Sequence, residues 1–322
     1  MLKAIDVEKA YQRIKPYITK TRLEKSVLLS DDKTWVYMKM ENEQPVVRSY
    51  KIRGVLAKLT LLTEEEKKRT TAAISSGNHG VSLCYGTSLL GLRPPVIFAP
   101  HTTPKPKQEK IAKLGGELRF VGENFDQANE IGEKLLEEGN FTKVDSREDP
   151  LGVTGQGTLA LEIMQEVPDL DILMAPIGSG GLITACASYL KERYPQVKII
   201  GVEPDYCPAM SENIEKRRWT KFFPFEGETI LDSLVGGIAH HSYERASELV
   251  DEILFVNDEE VKEALWDLLL KEKVVVEPDS AVCYAALKKY KERFNNKKTA
   301  MIITGANVDE DFFIKLLKEK CK

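Results

Sequence analysis

The run Arg48-Ser49-Tyr50-Lys51-Ile52-Arg53-Gly54 places one lysine at what reads as the start of a helix. Three glycine-bearing polar loops follow it: Ser75-Ser76-Gly77-Asn78-His79-Gly80, Gly178-Ser179-Gly180-Gly181-Leu182 and Thr304-Gly305-Ala306-Asn307. A lysine amine can join a carbonyl as a Schiff base. A glycine loop that opens a helix can cradle a phosphate with its N–H groups, helped by the helix dipole. Together they suggest a phosphorylated, carbonyl-bearing cofactor, held by Lys51 at one end and by residues 178–182 at the other.

Each element also has a plainer reading. Most lysines are solvated surface residues. Here Ser49 reads as a helix N-cap, which puts Lys51 in the first turn, where the dipole disfavours a cation. Arg48 and Arg53 flank it, and crowded positive charge favours the neutral amine that Schiff-base chemistry needs. The loop at 178–181 follows an apolar run and precedes a helical pattern. It is neither Gly-x-Gly-x-x-Gly, since Ile183 breaks that spacing, nor a Walker loop, since no Gly-Lys-Ser/Thr follows. Residues 75–80 follow the short run Ala72-Ala73-Ile74; their N–H groups and hydroxyls could hold a carboxylate or merely cap the next helix. The Thr304 hydroxyl could bond a neutral ring nitrogen or only shape a turn. His79 alone reads as structural, and His240-His241 as surface.

These residues need a frame. Apolar runs at 35–38, 72–74, 96–98, 118–121, 172–174, 197–202 and 300–303 read as strands. Helical periodicity covers 6–18, 49–62, 79–90, 105–114, 125–138, 156–167, 180–193, 258–271, 279–293 and 309–319. This alternation predicts an α/β fold with parallel sheets covered by helices on both faces. All three loops then lie at carboxyl ends of strands, where such sheets bind ligands. The stretch from 70 to 147 has its own strand–helix succession and reads as a smaller domain inserted into a larger one, with the site in the cleft between them.

At 322 residues the chain suits two domains. A formal net charge of −4 gives no basis for a nucleic-acid partner. No apolar stretch reaches the ~18 residues of a membrane span, and the N-terminus lacks the apolar core of a leader. Cys84, Cys186, Cys207, Cys283 and Cys321 are odd in number and contain no Cys-x-x-Cys. They read as reduced cytoplasmic thiols, mostly core filler.

Taken together, the motifs resemble the fold-type II pyridoxal-phosphate enzymes, in the serine/threonine dehydratase and serine racemase family, over nearly the whole chain. Ser49-Tyr50-Lys51-Ile52-Arg53-Gly54 is similar to that family's lysine motif, and Gly178-Ser179-Gly180-Gly181-Leu182 to its phosphate loop, with Ser179 where glycine is common. Gly155-Gln156-Gly157-Thr158, Gly201-Val202-Glu203-Pro204 and Val276-Glu277-Pro278 also fit. The resemblance implies two doubly wound α/β domains of the tryptophan synthase β type, 1–69 with 148–322 and 70–147, with pyridoxal 5'-phosphate in the cleft between them. It makes Lys51 the covalent anchor of the cofactor aldehyde. Ser75, Ser76, Gly77, Asn78 and His79 would bind the substrate carboxylate, with Asn78 near the cofactor's phenolic oxygen. Thr304 would face the ring nitrogen. Ser76 stands where racemases and hydroxyaspartate dehydratases carry a second acid/base.

The implied reaction is α,β-elimination from L-threonine or L-serine, giving a 2-oxo acid and ammonia, in a cytoplasmic homodimer or higher homo-oligomer. The alternatives are a serine racemase or threo-3-hydroxyaspartate dehydratase and, more distantly, a non-catalytic ligand-binding protein. Three departures stand out. The segment from Glu41 to Ser49 is one residue longer than usual. Leu231-Asp232-Ser233 replaces a more usual Ala-Asp-Gly. Ala209 stands where metal-binding relatives carry an acid that joins the Glu203 position, so no metal is expected. The chain stops at Lys322 without the regulatory domain of biosynthetic threonine dehydratases, so isoleucine feedback is not expected.

Overall fold

The computed structural model describes residues 2–103, 105–145 and 147–320. Its ten strands are β1 (Leu23–Lys25), β2 (Trp35–Met40), β3 (Thr70–Ile74), β4 (Val96–Ala99), β5 (Glu117–Phe120), β6 (Phe141–Lys143), β7 (Ile172–Pro176), β8 (Lys198–Pro204), β9 (Glu252–Val256) and β10 (Lys298–Ile303). They form a six-stranded sheet, β1-β2-β10-β7-β8-β9, and a four-stranded sheet, β5-β4-β3-β6. Every pairing is parallel except the edge pair β1-β2. The smaller sheet is drawn wholly from residues 70–143, and the flanking segments supply the larger one.

The larger sheet is apolar on both faces, as a parallel sheet under two helical layers must be. Along β10, Met301 and Ile303 pack with Met38 and Met174 on one face, against the helices Asp258–Leu270 and Pro278–Lys289. Ala300 and Ile302 pack with Leu173 and Ala175 on the other, against the helices Pro150–Glu166 and Gly181–Arg193. The two-residue period of a strand sorts these side chains.

Periodicity located the long elements and missed some short ones. β1, β6 and β9 had not been expected, nor had the helices Ala209–Glu215 and His240–Leu249. The helix Pro150–Glu166 begins six residues before its expected start. Asp149 caps it by accepting the Leu151 N–H at 2.9 Å, and Pro150 takes the first turn, where its missing N–H costs nothing. Its glycines look like helix breakers but allow close approach: a Cβ on Gly155 would sit 2.1 Å from the carbonyl oxygen of Arg53. The four described cysteines are buried and free; Cys321 lies outside the described residues.

Candidate active site

Three of the sequence-predicted segments follow the carboxyl ends of the neighbouring strands β2, β10 and β7 of the larger sheet. Lys51 opens the helix Lys51–Leu59 and is half-buried. The backbone before it is stitched to the loop after β10. Tyr50 N–H donates to Thr304 O at 3.0 Å, Ala306 N–H donates to Arg48 O at 3.0 Å, and Ser49 bridges Gly305. Ser49 is therefore a buried bridge residue, and the N-cap is Tyr50, which makes no side-chain cap bond. To bring Ser49 into that bridge, the segment coils through left-handed conformations at Val46 (φ 65°) and Arg48 (φ 51°). A β-branched residue such as Val46 at positive φ is strained.

Arg53 does not crowd Lys51 as expected. Its guanidinium is fully buried in a fork-to-fork arrangement with two carboxylates, Nε and Nη2 to Glu41 at 2.8 Å each, Nη1 and Nη2 to Glu162 at 2.9 and 2.8 Å. Lys39, also fully buried, adds a second cation at 2.7 Å from Glu162. Burial works against the Arg53 charge, and the two carboxylates more than offset it, raising its pKa. This network tethers the helix that carries Lys51. The sequence reading missed Lys39, Glu41 and Glu162; the one available signal was charge within otherwise apolar stretches.

The loop at 75–80 is built by its first serine. Ser75 Oγ accepts the N–H groups of Gly77 at 3.2 Å and Gly80 at 3.1 Å, so its side chain shapes the loop. The ring of His79 is buried and hydrogen-bonded to Val144 O at 2.8 Å. Burial pushes its pKa down to about 4, so it is neutral at pH 7. Any contact His79 gives a ligand must come from its backbone. The N–H groups of Ser76, Asn78 and His79, and the half-buried Ser76 hydroxyl, have no hydrogen-bond partner among the described residues. A Cβ on Gly77 would meet nothing within 4 Å, so the loop borders open space.

Asn78 joins the two sheets. Its Nδ2 donates to Glu277 Oε1 at 2.7 Å, leaving one N–H over, and its Oδ1 accepts from Asn307 Nδ2 at 2.6 Å. Asn307 in turn accepts from Lys110 Nζ at 2.5 Å. Burial raises the pKa of Glu277. This chain from Lys110 to Glu277 had not been foreseen.

The loop at 178–182 leads from β7 into the helix Gly181–Arg193, with Gly180 left-handed at φ 90°. Gly178 and Gly180 have no room for a side chain. A Cβ on Gly178 would lie 2.7 Å from Ser233 O, and one on Gly180 would lie 2.7 Å from Met210 Cε. The N–H groups of Ser179, Gly180, Gly181 and Leu182 find no partner among the described residues. Four free donors at the positive end of a helix suit a phosphate. Thr304 Oγ1, 7% exposed, lies 2.7 Å from Ser280 Oγ, which also accepts the Gly305 N–H at 2.8 Å.

The sequence matches the pyridoxal-phosphate-dependent enzyme family over residues 14–305. The chain belongs to that family. Its free N–H cradle, half-buried lysine and buried hydroxyl pair suit the phosphate, aldehyde and ring nitrogen of this cofactor. Among relatives of this pyridoxal-phosphate enzyme, the L-threonine ammonia-lyase of Thermotoga maritima is 34% identical over 99% of this chain and 79% of its own. The processed form of threonine deaminase isoform 2 from Solanum lycopersicum superposes with a TM-score of 0.90 at 27% identity, covering 98% of this chain and 86% of that one. Serine racemase from Dictyostelium discoideum gives 0.86 at 26% identity, with 96% and 99% covered.

Two departures acquire a structural meaning. Ser233 donates its hydroxyl to Asp279, whose buried carboxyl has its pKa raised by burial and then by Asp232. Glu203, the other position, caps a helix. Its oxygens accept the N–H groups of Met210 at 2.7 Å and Ser211 at 3.0 Å, at the start of the helix Ala209–Glu215. Burial pushes its carboxyl from 4.5 up to about 7. The folded state thus holds a proton that the unfolded chain releases between those values. Stability contributed at low pH falls as pH rises from about 4.5 to about 7, by up to about 3 kcal/mol. Denaturant unfolding of Glu203→Gln from pH 5 to 8 should lack this decline; identical slopes in both proteins would overturn the assignment.

Proposed function

We propose that this enzyme is an ammonia-lyase that eliminates water from L-threonine or L-serine to give a 2-oxo acid and ammonia. The observation that carries the reading is the hydrogen-bonded union of the Lys51 and Thr304 segments, within a chain similar to an L-threonine ammonia-lyase over 99% of its length. The bound aldehyde would supply an electron sink for the pair left at Cα when its proton departs.

The chain's own residues supply the rest. Free N–H groups at Ser76, Asn78 and His79 receive the substrate carboxylate, which orients Cα. Lys51 Nζ takes the α-proton as general base. The remaining N–H of Asn78 would serve the phenolic oxygen. N–H groups of Ser179, Gly180, Gly181 and Leu182 and the turn at Gly178 would hold the phosphate. Thr304, hydrogen-bonded to Ser280, would offer the ring nitrogen a hydroxyl rather than a carboxylate, so no carboxylate there would fix a positive charge. We place the cofactor between the two sheets, with 70–147 as the smaller unit. We also propose a cytoplasmic homodimer or higher homo-oligomer; among the described residues no helix is long and apolar enough to cross a membrane.

A second reading has its own support. The unpartnered Ser76 hydroxyl and the likeness to a serine racemase favour proton return on the opposite face. One experiment decides between them: 2-oxo acid and D-amino acid formation across a panel of L-amino acids, with and without magnesium. We expect 2-oxobutanoate or pyruvate, little D-serine and no magnesium requirement. D-serine as main product would replace the lyase reading, and no product from any hydroxy amino acid would end it.

A further inference from the structure

A cavity of about 410 Å³ lies against the helix Ala4–Ile14, on residues separate from the lysine and glycine loops. Its charged lining is Asp6, Lys9, Arg13, His241 and Arg245. Asp6 is occupied capping its own helix, accepting the Lys3 N–H at 3.1 Å. His241 pairs with Glu148 at 2.9 Å. The three stronger cations are in a different position: none is ion-paired among the described residues. Arg13 Nε is buried with no hydrogen-bond partner, and Arg245 has only the Ser188 hydroxyl at 3.0 Å. Burial works against both guanidinium charges. Lys9 and Arg13 stand four residues apart on one helix face, where like charges repel.

The rest of the wall is apolar. Leu61 and Leu151, 40% and 39% exposed, border the same cavity. A guanidinium fork matches a carboxylate or a phosphate, and the volume is that of a small-molecule site. We propose that this cavity binds a small organic anion, its carboxylate or phosphate seated between Arg13 and Arg245 and its apolar body against Leu61 and Leu151. Such a ligand would lean on the two helices that seat the phosphate loop. Val153, in its wall, lies 4.0 Å from the Cβ position of Gly181, and Ser242, beside His241, packs under Gly180. The site shares no residue with the catalytic loops, so it stands whatever the reaction is.

The test is calorimetric titration of the holoenzyme with hexanoate and with phenyl phosphate, using hexanol as the neutral control. We expect saturable binding of at least one anion and none of hexanol; the preferred anion identifies the head group. Arg13→Gln and Arg245→Gln should each weaken it about tenfold or more, and the exposed Lys9→Gln by about two- to threefold. Cofactor absorbance should be unchanged in all three. If an arginine variant fails to fold, Lys9→Gln decides. No binding of either anion, equal binding of hexanol, or affinity unaffected by these substitutions would overturn the proposal.

Discussion

Lys51→Ala should yield a folded protein without the visible-edge absorbance of a covalently held aldehyde, and with turnover reduced by at least about a thousandfold. The fold should survive because Lys51 is half-buried and has no ion-pair partner among the described residues; its Nζ lies 5.0 Å from the centre of the Tyr50 ring. Function should not survive, because one amine serves both as anchor and as base for the α-proton. Lys51→Arg separates charge from chemistry. Arginine keeps the cation but cannot be deprotonated in a protein, so it should fail nearly as badly. Spectra and 2-oxo acid assays on the two variants check this. Retained 2-oxobutanoate production by Lys51→Ala would sink the assignment.

How much of this was legible before the fold was known differs by residue. Lys51 and the loops at 75–80, 178–182 and 304–307 were legible because local sequence sets local structure: strand, glycine turn, helix start. The family resemblance was legible for the same reason. What local sequence could not give was which side chains would be used up by distant partners. Arg53 sits two residues from Lys51 and read as part of its field, yet its charge is matched by Glu41 and by Glu162, 109 residues away. Ser75 and Ser76 look alike in sequence, but one hydroxyl builds the loop and the other is left free. Asn307, Glu277 and Ser280 read as turn and helix-start residues. The bonds of Glu277 and Asn307 to Asn78 arise only once the ends of β3 and β10 are brought together, and those of Ser280 to Thr304 and Gly305 only once the helix Pro278–Lys289 packs on β10. The short elements β1, β6 and β9 have too few residues to establish a period.

The buried tetrad makes the second large prediction. Lys39, Glu41, Arg53 and Glu162 carry two positive and two negative charges, all at 0% exposure, so the group is neutral as a whole. Further hydrogen bonds join it: Thr21 Oγ1 donates to Glu41 at 2.6 Å, Lys39 donates to Thr21 O at 2.7 Å, and Arg53 Nη1 donates to Thr158 Oγ1 at 3.1 Å. Removing one member leaves a net charge in a medium that cannot solvate it, a loss of about 3–5 kcal/mol. Arg53→Met should cost that much in denaturant unfolding, because it strands Glu41 with only uncharged partners. It should also loosen the start of the helix Lys51–Leu59 and lower cofactor occupancy, though Arg53 touches no ligand. The pair Arg53→Met with Glu41→Leu should cost clearly less than the two single changes added together, since each single change leaves a charge that the other removes. Additive costs, or a loss under about 1 kcal/mol for Arg53→Met alone, would mean that apolar packing between the helices Lys51–Leu59 and Pro150–Glu166 holds Lys51 in place, with the tetrad contributing little.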